Sequence, residues 1–287
     1  MTNNFLVSVY LLALTSKAVE AADSWVPLFN GKDLSGWESY LGAASPNDHA
    51  YGWNRDPDKV FTVQRVDGEP AIRISGQYLG GIITKAEFSN YHLRLQFKWG
   101  QKRWSSREED VRDSGLCYHC VGPYPNAAKW PWPCSFEFNI AEHDVGEFWS
   151  IDGTIADAEV KPIGHSAEEE AAFRGWCVRN GEKGPRVQFA KGGQKQTFRD
   201  GGFMPGGDYE KTPGEWNSLE LYAVGGSAVH VVNGKVALIL TGLRRNLNGK
   251  EVPLTRGKIL LQTESAEVFY RNIEIRELKQ IPAALLK

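Results

Sequence analysis

The chain has little of several things. Its 287 residues include 2 Met and 4 Cys, and Lys+Arg (33) nearly balance Asp+Glu (35) to leave a net charge of −2. That balance excludes the basic excess or stripe on which electrostatic binding of nucleic acid depends. Hydrophobic residues at 41% are too many for a disordered chain. No apolar run approaches the ~20 residues a membrane-crossing helix needs. The longest, Phe5 to Leu14, has ten residues. Neither a nucleic-acid partner nor a membrane span is therefore expected. Helical periodicity is also scarce. One short candidate stands out, Ser166 to Phe173, where a Ser cap precedes acidic residues of a first turn.

The apolar run at the start reads as an address. Small residues follow it, and Val19-Glu20-Ala21 fits a signal-peptidase site, although Met1 to Asn4 lacks the usual Lys or Arg. Residues 1–21 are read as a signal peptide and 22–287 as one exported domain, periplasmic or extracellular. Cys117, Cys120, Cys134 and Cys177 then meet an oxidising compartment. Cys117-x-x-Cys120 has half the spacing of a zinc site, but its neighbours read as a strand. Buried or disulfide-linked cysteines are expected.

What is abundant is alternation. Tyr91, Leu93, Leu95, Phe97 and Trp99 alternate with His92, Arg94, Gln96 and Lys98, the mark of a half-buried strand. Phe136, Phe138 and Ile140 alternate with Ser135, Glu137 and Asn139. The same period recurs at Leu219–Ala223, Ile259–Gln262 and Ile273–Arg276. Shorter strands are expected near 60–66, 70–75, 81–84, 114–119, 228–232 and 235–241. Asn233-Gly234 between two β-rich runs signals a tight hairpin. Many short strands with few helices predict an all-β sandwich of two antiparallel sheets. The Gly- and Lys-rich stretch 177–214 is weakly periodic and reads as long loops.

Ser135 to Asp144 is the most informative stretch. On a strand, Glu137 and Asn139 share a face opposite the apolar residues. One bulged residue near Ile140-Ala141 would bring Glu142 onto that face as well. The resulting E-x-N-x-x-E row is similar to the E-x-D-x-x-E strand of laminarinase-type β-glucanases, with Asn139 in place of Asp. Retaining hydrolysis there needs carboxyl groups ~5–5.5 Å apart. His119, placed by alternation on the face of Cys117, and His143 are candidate bases. Glu137, Glu142 and His143 are candidate ligands for a divalent metal ion. Lys85 closes a short strand and is a candidate electrophile, with Lys98 and Arg94 behind it.

Tryptophan is the compositional outlier, with 10 residues. Trp53, Trp104, Trp130, Trp132 and Trp149 fall in segments read as loops. An aromatic ring offers a flat apolar surface to the CH face of a pyranose and keeps a polar N–H. Trp53, Trp130, Trp132 and Trp149, with Asn139, are the candidate substrate-binding residues.

Together these segments resemble the 3-keto-disaccharide hydrolase domain family. The resemblance runs from Leu28-Phe-Asn-Gly-Lys-Asp-Leu-Ser-Gly-Trp37 through Tyr91–Trp99, Asp113-Ser-Gly-Leu116, Phe136–Ile140, Asp144-Val-Gly-Glu-Phe-Trp149, Gly214-Glu-Trp-Asn217 and Val232-Asn-Gly234 to Tyr270-Arg-Asn-Ile-Glu-Ile275. It implies a concanavalin A-like jelly roll, export, and cleavage of glycosides whose sugar carries a ketone at C3. A separate sugar 3-dehydrogenase must then make the ketone. The ketone acidifies the C2 proton, so a base can remove it and the C1 oxygen can leave. Glu137 or His119 is the candidate base, Lys85 or a divalent cation the electrophile, and Glu142 or His143 the acid. Two alternatives share the same polar face: a retaining β-glucanase, and a glycan-binding module without turnover.

Overall fold

A computed structural model describes residues 24–43, 49–104, 111–123, 131–163, 187–199, 201–203 and 205–287. The expected signal peptide, the short helix at 166–173, Trp130 and Cys177 lie outside the described residues. The strands in chain order are β1 (Val26–Pro27), β2 (Trp37–Leu41), β3 (Gly52–Trp53), β4 (Phe61–Val66), β5 (Glu69–Ile74), β6 (Gly80–Thr84) and β7 (Phe88–Ser89). Next come β8 (Tyr91–Arg103), β9 (Asp113–Val121), β10 (Cys134–Ala141), β11 (Phe148–Ile151), β12 (Thr154–Pro162), β13 (Val187–Phe189), β14 (Gln194–Phe198) and β15 (Gly201–Phe203). The last are β16 (Asn217–Val224), β17 (Ser227–Val232), β18 (Lys235–Leu247), β19 (Lys250–Pro253), β20 (Arg256–Thr263) and β21 (Ala266–Glu277).

They form two antiparallel sheets. The larger runs β13-β12-β18-β17-β16-β8-β21-β5-β4, and the smaller runs β15-β11-β10-β9-β20-β6-β2-β3. Alternation decides which side chains meet between them. Leu93, Leu95 and Phe97 of the larger sheet join Phe136, Phe138 and Ile140 of the smaller in one core. The opposite face of the smaller sheet carries a second apolar cluster of Tyr40, Ile83, Cys117, Cys120, Trp132, Ile151 and Leu260. On the outer face of the larger sheet, Leu278, Ile281 and Leu285 of the C-terminal segment cover Tyr222, Val229 and Val231. Asn233 and Gly234 both take positive φ, 49° and 77°, and join β17 to β18 in a two-residue turn. Among the described residues no helix is long and apolar enough to cross a membrane.

Three local expectations are corrected. The stretch expected to be loops contains β13, β14 and β15, which pair with β12 and β11. Its alternation is invisible because four of the five β14 residues, Gln194 to Thr197, are polar and exposed. The bulge in β10 falls between Cys134 and Phe136, so the strand is regular through Ile140 and Ala141. The third concerns His119, which lies at φ 51° where the pairing of β9 with β20 shifts register. That extra residue turns its ring into the inter-sheet core, edge-on to Tyr91 and Phe136, and away from the face of Cys117. Cys117, Cys120 and Cys134 are buried free thiols.

Two core histidines give the fold an acid sensitivity. His230 stacks on Phe138 with ring centroids 4.1 Å apart, and its Nδ1 faces the Gly146 carbonyl at 3.1 Å. Burial pushes His230 down to about 3 and His119 to about 4. Both stay neutral in the fold while the unfolded chain protonates them near 6.5. Their contribution is complete above pH 6.5 and shrinks as pH falls toward 4 and 3. A His230→Gln variant should lose less stability than the parent on acidification below pH 6.5. The gap should approach about 1.4 kcal/mol per pH unit. Urea midpoints measured at pH 7, 6 and 5 check this, and parallel lines would refute it.

Candidate functional site

The outer face of the smaller sheet becomes polar toward one end of β9, β10 and β20. Since Phe136, Phe138 and Ile140 point inward, Glu137 and Asn139 must point outward. Glu137 stands between Cys117 of β9 and Trp149 of β11, its partners across the two strand pairs. Asn139 faces Gly115, and Ala141 faces Asp113. Gln262 lies two residues beyond Leu260, the partner of Cys117, on the same face of β20. The heads of Glu137 and Gln262 converge over Gly115, filling the space where any larger residue would put its Cβ.

A tight turn after β10 adds a further acid. The Asp144 N–H donates to the Ala141 carbonyl and the Gly146 N–H to the Asn139 carbonyl, each at 2.9 Å. The fold-back sets Glu147 against Asn139. The Asn139 N–H donates to the Glu147 carbonyl at 2.9 Å, and its Nδ2 donates to Glu147 Oε2 at 2.8 Å. The Trp149 indole N–H also favours the Glu147 carboxylate. Asp113, Glu137, Asn139, Glu147, Gln262 and Glu264 are all buried.

Burial and mutual repulsion set the electrostatics. Glu137 is pushed well above the usual carboxylate range, first by desolvation and then by the charges of Glu264, Asp113 and Glu147. The Gln262 amide opposes this weakly. Glu147 is raised in the same way, with Asp144 as its main like-charged neighbour and Trp149 and Asn139 opposing. Adjacent buried carboxyl groups cannot all ionise, so Glu137 and Glu147 are both shifted toward their protonated forms. Such a cluster can give one proton and take another.

Of the other predicted site residues that are described, only Trp149 lies beside this cluster. Glu142 follows β10 and is held by Arg112, whose backbone N–H donates to Oε2 at 2.8 Å and whose guanidinium pairs with Oε1. Arg103 approaches the same carboxylate at 3.4 Å. Lys85 sits just past β6 and donates its ammonium to the Ser35 carbonyl at 2.7 Å. Trp132 is buried with its indole N–H on the Gly80 carbonyl at 2.7 Å. Trp149 is half-buried beside Glu137, whereas Trp53 is exposed at the far edge of the sheet. His143 is exposed, with Nδ1 3.3 Å from Asp208 Oδ2 and its backbone N–H on Glu210 Oε2. His143, Asp208 and Glu210 place ligand atoms within 4.8 Å of one another and can hold a divalent cation. Of the three predicted ligands, only His143 belongs to that group.

Asp113, Glu147, Gln262 and Glu264 are the members that motif reasoning on the β10 strand did not reach. Three of the four carry a mark in the sequence, and Glu264 carries none. Gln262 is the polar residue of an alternating strand, and Asp113 and Glu147 sit inside two of the segments that carry the resemblance.

Comparison with solved structures finds matches at low identity. A Parabacteroides distasonis protein provisionally classed as a glycosyl hydrolase is 21% identical over 89% of this chain and 100% of its own, with a TM-score of 0.47. The carbohydrate-binding module CBM66 of Bacillus subtilis is 11% identical over 84% and 96%, with a TM-score of 0.41. The Bacillus licheniformis β-glucanase is 10% identical over 88% and 97%, with a TM-score of 0.40. No curated protein sequence matches. Residues 24–276 match the family described as the 3-keto-alpha-glucoside-1,2-lyase-like domain. The chain belongs to that carbohydrate-active family, the one its sequence segments resemble.

Proposed function

We propose that the chain is an exported enzyme that cleaves the C1 glycosidic bond of 3-keto-glycosides by elimination and hydration. One observation carries this reading. Glu137 is a buried carboxyl group whose hold on its proton is raised by desolvation first and by neighbouring acids second, and it lies beside an aromatic ring on one sheet face. In the reaction an ionised carboxylate of the cluster removes the C2 proton. The electron pair forms the C1–C2 double bond, conjugated with the ketone, and the C1–O bond breaks. Glu137 supplies the proton that the departing oxygen takes. Water then adds its hydroxyl to C1 and gives its proton to Glu137, while the carboxyl group that took the C2 proton returns it to C2, which restores the sugar and both groups of the cluster. Asn139 and Trp149 hold Glu147 in place, and the Trp149 ring offers a surface for the keto-sugar. A separate sugar 3-dehydrogenase supplies the substrate.

This assignment differs from the reading of the sequence in both roles: Glu137, there a candidate base, is here the acid in place of Glu142 or His143, and another carboxylate of the cluster is the base. Glu142, tied to Arg112 and Arg103, serves to fix the edge of the site. The test incubates the protein with chromogenic 3-keto-α- and 3-keto-β-glucosides and with the unoxidised glucosides. Release from a keto substrate alone supports elimination. Release from an unoxidised glucoside would replace it with ordinary hydrolysis, and no release from any would leave a glycan-binding module.

Trp149→Ala should raise KM several-fold, as expected from loss of about 1 kcal/mol of aromatic contact. It should also lower kcat, because Glu147 loses a partner. Steady-state kinetics on the keto substrate separate the two effects, and unchanged values for both would remove Trp149 from the site.

A further inference from the structure

At the opposite end of the same sheet face lies a pocket of about 240 Å³, lined in part by Trp53, Glu38, Glu87, Lys258 and Cys120. We infer that it is a second sugar subsite, taking one neutral hexose ring of a substrate longer than a simple glucoside. The role as part of a substrate path rests on the function proposed above, whereas the binding of a sugar does not.

The first argument is how Trp53 is presented. It is 41% exposed, the most exposed aromatic ring among the large hydrophobic side chains of the described residues. An exposed indole keeps its flat apolar face available to the CH face of a sugar ring. The backbone of Trp53 is firmly set. β3 pairs with β2 through Tyr40 and Leu41, and Asn54 exchanges hydrogen bonds with Ser39, N–H to carbonyl at 2.8 Å and Oδ1 from N–H at 3.0 Å. Tyr40 props the indole edge-on with centroids 5.7 Å apart. A rigid, exposed ring is a stacking platform that gives up little conformational entropy on binding.

The second argument is charge. Lys258 Nζ lies 3.4 Å from Glu38 Oε2, and Glu87 is paired to Arg256 at 3.0 Å. The carboxylates are thus offset by cations, leaving hydrogen-bonding groups without a net positive field. Carboxylate and ammonium groups bind sugar hydroxyls strongly, while an anionic uronate would find no surplus cation. The volume is below the ~300 Å³ at which drug-sized pockets begin, which suits one ring.

The third argument is position. Glu38 pairs with Ile83 on β6, and Leu260 and Cys117 continue that row to Glu137. Three strand spacings separate Ile83 from Glu137, roughly 14 Å. Trp132 packs in the apolar cluster between the two ends. A ligand reaching both must be an oligosaccharide that passes over or beside this indole.

The experiment uses Trp53→Ala and Lys258→Gln, both partly exposed and outside the acid cluster. Binding of neutral gluco-oligosaccharides and of a uronic-acid oligomer is titrated calorimetrically on Glu137→Gln and on Glu137→Gln with Trp53→Ala. Turnover is measured on a 3-keto-glucoside and on a 3-keto-oligosaccharide. Trp53→Ala should weaken neutral oligosaccharide binding and raise KM for the long substrate about tenfold, leaving the short one unchanged. If no keto substrate turns over but Trp53→Ala still abolishes oligosaccharide binding, the proposed reaction fails and the sugar subsite stands. Equal effects on short and long substrates, unaltered binding, or tighter binding of the uronate would overturn the subsite.

Discussion

Glu137→Gln should lose at least ~100-fold in turnover of a 3-keto-glucoside, the size expected when a general acid–base group is removed. The same variant should be more stable than its parent at neutral and alkaline pH. Glu137 is raised well above its ordinary value in the fold, so the folded state holds a proton that the unfolded chain releases above about 4.5. Its contribution is therefore complete below that pH and is lost as pH rises through the folded value. Gln is neutral throughout and keeps a hydrogen-bonding amide beside Gln262 and Glu147. Melting curves of the two proteins should coincide near pH 4 and separate as pH rises to 8, with the variant higher. Lost activity with gained stability is what a strained, functional carboxyl group gives. A variant destabilised at pH 8 would identify Glu137 as a structural acid.

How much of this was readable in the chain depends on range. The sheets were legible because alternation is local: Tyr91–Trp99 and Phe136–Ile140 state which side chains face inward without reference to any partner. The Asn233-Gly234 turn was legible for the same reason, since two adjacent residues tolerant of positive φ suffice. Glu137 and Asn139 follow from that alternation. His119 does not, because the extra residue that turns it inward exists only in the pairing of β9 with β20. Glu142 looked equivalent to Glu137 until Arg112, 30 residues away, claimed it. Gln262 and Glu264 are more than 120 positions from Glu137, and only strand order carries them to it. A cluster assembled across β9, β10, β11 and β20 leaves traces in each strand, but no single motif.

Gly115→Ala is the sharper test of that assembly. Glycine within a strand is a weak β-former and is kept for a reason other than propensity. Gly115 does not need positive φ, so alanine fits its backbone. What it supplies is empty space. The atoms nearest an added Cβ are the Glu137 carboxylate oxygen and the Gln262 amide, the mobile ends of two side chains, and no backbone atom stands closer. The methyl group should therefore displace the two functional heads while the strand stays in place. A shift of about 1 Å in a reacting group can cost ~100-fold, so turnover should fall by roughly that factor with the melting temperature little changed. Gly257→Ala makes the contrast. There the added Cβ would meet the backbone of His119 and Cys120, which cannot rotate away, and the protein should be severely destabilised. If Gly115→Ala retained full activity, the convergence of Glu137 and Gln262 would have no part in the chemistry. If it unfolded like Gly257→Ala, the glycine would serve sheet packing, and the acid cluster would have to be probed through Gln262 directly.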